Sequence, residues 1–114
     1  MYNSDKRKNR RYSSIARAKL AGVSFGEALL KDISVTGACI EYTMHLDIEA
    51  KSRYTLEIIP EEVSSIRPFL LTVECKWIRQ AGYSCDAGFD IIKSPKGKAF
   101  ENYVDYLDWR SNQN

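Results

Sequence analysis

The sequence holds few of the residues from which catalytic and metal sites are usually built. Its single histidine is His45, and its three cysteines, Cys39, Cys75 and Cys85, form no C-x-x-C pair. A lone histidine without a neighbouring nucleophile motif rarely serves as a catalytic base, and an odd, scattered set of cysteines is typical neither of a zinc site nor of a disulfide framework. We therefore expect a protein that is not an enzyme, has no metal or cofactor, and packs its reduced cysteines inside strands.

Long apolar runs are also absent. No stretch approaches the roughly 18 apolar residues that span a bilayer, and no short apolar segment follows the basic start of the chain, as a secretory signal requires. A chain of 114 residues is long enough for one domain around one modest core. These features predict a single-domain cytoplasmic protein without a membrane span.

The net charge of +2 is small, but the charges are unevenly distributed. Residues 1–20 contain seven Lys or Arg and one Asp, a net charge of +6, whereas the remaining 94 residues contain ten basic and fourteen acidic residues, a net charge of −4. A concentrated cationic segment on a mildly acidic body is typical of a protein that meets an anionic ligand at one place. It argues against a nucleic-acid surface that covers the whole domain.

Alternation of apolar and polar residues with a period of two dominates the chain and predicts short strands with one buried face. The predicted strands are 15–20, 27–31, 38–43, 53–59, 70–78 and 83–92, with a short hairpin loop at 79–82. Four residues of the fifth strand are expected to lie on the same side: Leu71, Val73, Cys75 and Trp77.

After the last strand, the spacing of apolar residues changes to that of a helix. Ser94-Pro95 is typical of a helix start, with Ser94 as N-cap and the proline in the first turn. Apolar residues then follow at i, i+3, i+4 and i+7: Phe100, Tyr103, Val104 and Leu107. Six strands and one terminal amphipathic helix predict a mainly all-β fold, a small antiparallel barrel or sandwich with the helix packed on an open end or side.

The expected organisation has three parts. Residues 1–12 form a flexible basic arm, residues 13–110 form the domain of strands and helix, and residues 111–114 form a short tail. The arm contains five basic side chains and few apolar ones, a composition that gives it little to bury. We refer to residues 1–12 as the basic arm.

Two polar motifs carry the functional signal. The basic arm holds R-x-x-x-R, Arg7 and Arg11, just before the first predicted strand, and guanidinium groups bind phosphate oxygens bidentately. Between the second and third predicted strands lies D-x-S-x-x-G, formed by Asp32, Ser34 and Gly37. A carboxylate accepts hydrogen bonds from N–H donors such as those of guanine, a hydroxyl bonds to phosphate or base, and glycine lets a ligand approach the backbone. Together these groups favour a ligand with phosphate and guanine.

Each motif has a simpler interpretation when it is taken alone. A basic run is most often a solvated tail or a nonspecific nucleic-acid arm. A D-x-S-x-x-G sequence is most often turn chemistry, in which aspartate and serine bond to nearby backbone N–H groups. The two motifs together, in this order and at these positions, indicate a ligand site more specifically than either motif does by itself.

With both motifs in place, the chain resembles the PilZ domains, which are bacterial receptors for cyclic di-GMP. The resemblance rests on "RKNRR" (7–11), on "DISVTG" (32–37) followed by "ACI", and on the strands "VECKW" (73–77) and "AGFDI" (87–91). It covers nearly the whole chain. It implies a six-stranded antiparallel β-barrel with a C-terminal α-helix, and a ligand clamped between the R-x-x-x-R segment and the D-x-S-x-x-G surface.

The resemblance also implies roles for individual residues. Arg7 and Arg11 would grip phosphate and guanine. Asp32 and Ser34 would contact guanine and its surroundings, and Gly37 would permit close approach. Two further residues occupy positions at which some members of the family add contacts: Arg10 and Trp77.

The chain resembles the stand-alone members of this family, which act as adaptors. The expected partners are therefore cyclic di-GMP and an unidentified effector protein, in the control of motility, exopolysaccharide and biofilm formation, or virulence. Two alternatives stay open: a small nucleic-acid-binding barrel with a basic arm, and a protein-interaction module that binds no ligand. The acidic body argues against nucleic acid, because a groove for single strands should carry basic residues and exposed aromatic side chains on its strands.

Overall fold

Seven strands and one α-helix make up the computed structural model, which describes residues 10–23, 26–94 and 97–113. The strands are β1 (Tyr12–Ser13), β2 (Arg17–Leu20), β3 (Ala28–Ile33), β4 (Gly37–Tyr42), β5 (Arg53–Ile59), β6 (Phe69–Ala81) and β7 (Ser84–Lys93), and the helix is α1 (Ala99–Ser111). All pairings are antiparallel in the order β1-β3-β2-β5-β6-β7-β4, and pairing of β3 with β4 closes the sheet into a barrel.

Two short strands, β1 and β2, together take the place of the first of the six barrel strands. Both pair with β3: Tyr12 of β1 lies opposite Ile33, and Arg17 of β2 lies opposite Leu29, with residues 14–16 between them outside the regular ladder. β1 and β2 therefore act as one interrupted strand. The predicted fold class, a six-stranded antiparallel barrel with a C-terminal helix, is confirmed, with one short extra strand.

The core lies inside the barrel and under the helix. The helix residues predicted to face it are all 6 % exposed or less: Phe100, Tyr103, Val104 and Leu107. Cys75 and Cys85 are buried among the aliphatic side chains of the strands. Burial of one large aliphatic or aromatic side chain contributes roughly 1.5–3 kcal/mol, so this shared core dominates the stability of the fold.

A β-bulge in β6 overturns one expectation. Cys75 lies opposite Phe89, but the next paired residue, Trp77, lies opposite Gly88, so that Lys76 is an additional residue in the strand. The period of two slips by one residue at this point. Cys75 is buried, whereas Trp77 is 45 % exposed and lies on the outer face, not on the core side where simple alternation placed it.

Three further differences from the expected element boundaries are larger than one residue. β3 continues to Ile33, so that Asp32 lies within a strand. β6 continues to Ala81, which leaves Gly82 and Tyr83 as a two-residue turn with Gly82 at a φ of +63°. The helix begins at Ala99 without a side-chain N-cap, and Ser94 does not cap it, because β7 runs to Lys93 and the chain needs several residues to turn towards the helix position.

The N-terminal boundary of the barrel includes Tyr12. This residue, expected at the end of the basic arm, is 3 % exposed in β1, and its hydroxyl donates to the Asp108 carboxylate at 2.8 Å. Residues 1–9, including Arg7, lie outside the described residues. In the part of the chain that the structure describes, no helix is long and apolar enough to cross a membrane.

Candidate functional site

Four neighbouring strands bring one row of residues together on the outer face of the barrel. Asp32 of β3 lies opposite Cys39 of β4, Cys39 lies opposite Gly88 of β7, and Gly88 lies opposite Trp77 of β6. The two middle residues are small. They form a low floor between Asp32 on one side and Trp77 on the other.

This floor lies under a cleft of about 230 Å³. We call it the Arg11–Trp77 cleft after the side chains at its two sides. The residues that line it are Arg11, Asp32, Cys39, Lys76, Trp77, Gly88, Phe89 and Asp90. The cleft therefore brings one residue of each sequence motif, Arg11 and Asp32, together with Trp77, although the three are far apart along the chain.

Arg11 and Asp32 form an ion pair at one side of the cleft. Nη1 of Arg11 donates a hydrogen bond to Oδ1 of Asp32 at 2.6 Å. Both side chains are partly exposed to solvent, Arg11 by about half. An exposed pair of this kind stabilises a fold by roughly 0–1 kcal/mol, so each group can exchange its partner at little cost to the barrel.

Gly37 makes room for this arrangement. A Cβ atom at this position would lie 2.9 Å from the carbonyl oxygen of Phe89 and 3.1 Å from Nη2 of Arg11. The backbone of Gly37 is not in the left-handed region. Glycine is needed here for space, because a side chain would displace either the neighbouring strand or the Arg11 guanidinium.

Ser34 lies beneath the surface in the turn between β3 and β4. It is 2 % exposed, and its Oγ accepts hydrogen bonds from the N–H groups of Thr36 and Gly37 at 3.2 and 3.1 Å. Its own N–H donates to the carbonyl oxygen of Gly37 at 2.8 Å. In this respect Ser34 follows the turn chemistry that D-x-S-x-x-G sequences often show, and it does not line the cleft.

Arg10 extends away from the cleft, towards the helix. Its Nη2 donates to Oγ of Ser111 at 3.4 Å, its Nη1 lies 3.8 Å from a carboxylate oxygen of Asp108, and its guanidinium carbon is 5.1 Å from the centre of the Tyr12 ring. Arg10 and Arg11 are adjacent in sequence but diverge. Arg11 reaches the cleft, and Arg10 reaches the C-terminal helix.

Trp77 closes the other side of the cleft by lying on Gly88. A Cβ atom on Gly88 would be 2.3 Å from two atoms of the indole, so only glycine permits this packing. The preceding residue, Lys76, places its Nζ 3.3 Å from Oδ2 of Asp90. The described lining of the cleft thus carries two cations and two carboxylates, and its formal charge is balanced.

Sequence reasoning did not identify Cys39, Lys76, Gly88 and Asp90 as residues of the site. No local signal in the sequence distinguishes Asp90 from other acidic residues on strands. Burial, followed by the nearby charge of Asp32, raises the pKa of the Cys39 thiol, which therefore stays protonated and forms a neutral part of the floor. Within the described residues, no group of His, Cys, Asp or Glu side chains is arranged to hold a metal ion.

Comparison with known proteins adds to the structural description of the fold. No family model and no curated protein matches the chain in sequence. Among solved structures, the chain is similar to the inhibitor of motility MotI/DgrA from Bacillus subtilis, with a TM-score of 0.73 and 16 % sequence identity. The match covers 91 % of this chain and 50 % of the other, so this chain spans about half the length of that protein. The chain therefore has a PilZ-like fold, a closed six-stranded antiparallel barrel followed by a helix.

Proposed function

We propose that this chain is a receptor for cyclic di-GMP, which binds in the Arg11–Trp77 cleft. The observation that carries the proposal is the convergence of a guanidinium, a carboxylate and an indole on one cleft, from Arg11, Asp32 and Trp77. These are the groups needed for a phosphate, for the N–H edge of a guanine and for the flat face of a base.

Ligand binding can exchange the partners of the Arg11–Asp32 ion pair without leaving either group unsatisfied. A ligand phosphate replaces the carboxylate as the acceptor for Arg11. The N1–H and N2–H2 groups of guanine replace the guanidinium as donors to Asp32. Because the ion pair is exposed and contributes little to stability, the exchange costs the barrel little.

The size and charge of the cleft support our proposal that the basic arm completes the site. A volume of about 230 Å³ is below the roughly 300–1,000 Å³ typical of small-molecule sites. The balanced charge of the described lining leaves a doubly anionic ligand in need of further cations. Arg7, which lies outside the described residues, is in our proposal the second guanidinium of the site.

The remaining motif residues have supporting roles in this proposal. Ser34 holds the turn that sets the position of Asp32, and Gly37 leaves space for the Arg11 guanidinium. Arg10 acts as a contact to the helix. The hydrogen bonds and close approaches of these residues support these roles.

The proposed activity is binding without catalysis, and the output passes through another protein. The solved structure with a similar fold is described as an inhibitor of motility, which agrees with an adaptor that acts on an effector protein. Control of motility, exopolysaccharide and biofilm formation, or virulence inside a bacterial cell fits this proposal.

Isothermal titration calorimetry tests the proposal directly. The full chain is titrated with cyclic di-GMP, with GTP and with single-stranded DNA. We expect binding of cyclic di-GMP, and only weak, steeply salt-dependent binding of DNA. Tight, salt-tolerant DNA binding, or the absence of cyclic di-GMP binding, would overturn the proposal.

A matched pair of variants tests the location of the site. Arg11→Ala should remove most of the affinity. Arg17→Ala should leave it unchanged, because Arg17 is equally exposed and forms a comparable ion pair with Glu27 at 2.9 Å, outside the cleft. Equal effects of the two variants would show that the ligand responds only to overall charge.

A further inference from the structure

Besides Arg11, a second arginine lies near the cleft: Arg79, which is next to Trp77. Arg79 lies two residues along β6 on the same outer face, and its guanidinium carbon is 5.9 Å from the centre of the indole ring. Its side chain is about two-thirds exposed. The fold therefore presents an indole at the edge of the cleft with a guanidinium placed over its ring.

Asp86 fixes the direction of the Arg79 side chain. It lies opposite Arg79 on β7, and its Oδ2 accepts a hydrogen bond from Nη2 of Arg79 at 3.0 Å. The Asp86 side chain is only 13 % exposed and also lies 3.4 Å from Nζ of Lys31. The hydrogen bond from Arg79 is the largest influence that lowers the pKa of Asp86, so the carboxylate stays charged at neutral pH and keeps the arginine in place.

The width of the cleft suits a ligand with two bases. Asp32 and Trp77 are separated by three strand spacings, each about 4.8 Å, or about 14 Å measured along the curved surface of the barrel. One guanine at the Asp32 side would present its N–H donors to the carboxylate. The second base of a cyclic dinucleotide would then lie at the Trp77 side, where Asp32 cannot read it.

We propose that Arg79 reads this second base and selects guanine over adenine. The inference rests on the proposed function. A base stacked on Trp77 turns its edge towards Arg79, and guanine offers two acceptors there, O6 and N7. Adenine has an amino donor in place of O6, and this donor faces the N–H groups of the guanidinium unfavourably. Arg79 is thus a specificity-determining residue, and Asp86 is a positioning residue that acts through it.

The test is the ratio of the dissociation constants of cyclic di-AMP and cyclic di-GMP, measured by calorimetry on the full chain. Arg79→Ala should lower this ratio by about tenfold or more, since one arginine contact to guanine is worth that much discrimination. Arg53→Ala is the matched control. Arg53 is similarly exposed and forms a cross-strand ion pair with Glu74 outside the cleft, so its removal should leave the ratio unchanged.

The outcomes separate this inference from the proposed function. If the unaltered chain binds cyclic di-GMP and Arg79→Ala keeps the ratio, the role of Arg79 is wrong and the proposed function stands. If the unaltered chain does not bind cyclic di-GMP, the proposed function fails first. Asp86→Asn should also lower the ratio. An unchanged ratio in Asp86→Asn, with the fold verified by thermal unfolding, would contradict the positioning role.

Discussion

At the scale of single residues, the charged groups that line the described cleft are paired with one another. Arg11 is bound to Asp32, and Lys76 is close to Asp90. These partly exposed pairs contribute little to the free energy of unfolding. Their effect is to keep charged side chains extended over the cleft, so that a ligand meets them in place and pays less conformational entropy for ordering them.

Substitution of Asp32 tests its role as an acceptor for guanine. We expect Asp32→Ala to weaken cyclic di-GMP binding by roughly 1–3 kcal/mol, because the guanine N–H donors lose their hydrogen bonds to water on binding and find no acceptor in the protein. Thermal unfolding should change little. The measurement is calorimetry, with Glu27→Ala as the control carboxylate that pairs with Arg17 outside the cleft. Unchanged affinity would mean that Asp32 serves only the local structure.

Gly88 offers a test of the indole position. Because a Cβ atom on Gly88 would overlap the indole, Gly88→Ala should force Trp77 off the floor of the cleft. The half-exposed indole can turn into solvent, so we expect a small change in melting temperature, altered tryptophan fluorescence and weaker ligand binding. In a Trp77→Ala background, Gly88→Ala should have no further effect on affinity. Additive losses in the two variants would show that Gly88 acts independently of Trp77.

At the scale of strands and segments, local sequence patterns predicted most of the fold. They did not predict the side of the cleft that Trp77 forms. Alternation identifies buried faces because neighbouring residues of a strand point to opposite sides, so it holds wherever pairing is regular. The bulge at Lys76 breaks this regularity. It is accommodated by Gly88, a residue of another strand whose register with β6 cannot be read from the sequence of either strand alone.

One side of the cleft, formed by Arg11 and Asp32, could be predicted from the sequence, and the other side could not. The order of the two motifs placed Arg11 beside the first strand and Asp32 beside the next, and the structure brings them into contact. The proximity of Lys76 and Asp90 depends on the bulge and on strand register. Serine is a residue type that often contacts ligands, but the hydroxyl of Ser34 accepts hydrogen bonds from backbone N–H groups of its own turn. These hydrogen bonds depend on the path of the backbone, which the residue type alone does not reveal.

The basic arm can be tested as a unit. In our proposal Arg7 and Arg11 bind the same ligand, and the segment between them must be held for either contact to last. Holding it costs roughly 1–2 kcal/mol per residue, more than one charge-assisted hydrogen bond of about 1.5–3 kcal/mol provides. Each single change to Ala should therefore remove most of the affinity. The double variant should be little worse, as calorimetry can show, and full additivity would contradict joint action.

At the scale of the whole molecule, a partly buried polar network joins the first strand to the helix. The Tyr103 hydroxyl donates to a Glu61 carboxylate oxygen at 2.7 Å and lies 2.7 Å from Oγ of Ser14. Arg110 donates to the other Glu61 oxygen at 2.9 Å and to the carbonyl oxygen of Ser13 at 2.7 Å. Burial raises the pKa of the Tyr103 hydroxyl, which keeps its proton and remains a donor to Glu61.

Removal of one hydroxyl from this network should destabilise the barrel. Tyr103→Phe leaves Glu61 and Ser14 each with a buried group that has lost a partner, so we expect a loss of roughly 1–3 kcal/mol in the free energy of unfolding. Chemical denaturation measures it. Tyr83→Phe is the control, because Tyr83 is 94 % exposed at the tip of a hairpin and should give no change. Equal stability of the two variants would show that the network contributes nothing.

The contacts between the first strand and the helix have a consequence for the order in which the chain folds during synthesis. Ser14, Ser13 and Tyr12 bond to partners 89, 97 and 96 residues later in the chain. These partners are translated after all the strands of the barrel, so the first strand can pair with β3 early but gains its contacts to the helix late. Closing so long a loop is slow compared with pairing neighbouring strands. Arg11, one residue before that strand, can therefore meet Asp32 early, but the strand that carries it gains the support of the helix only after the helix has been made.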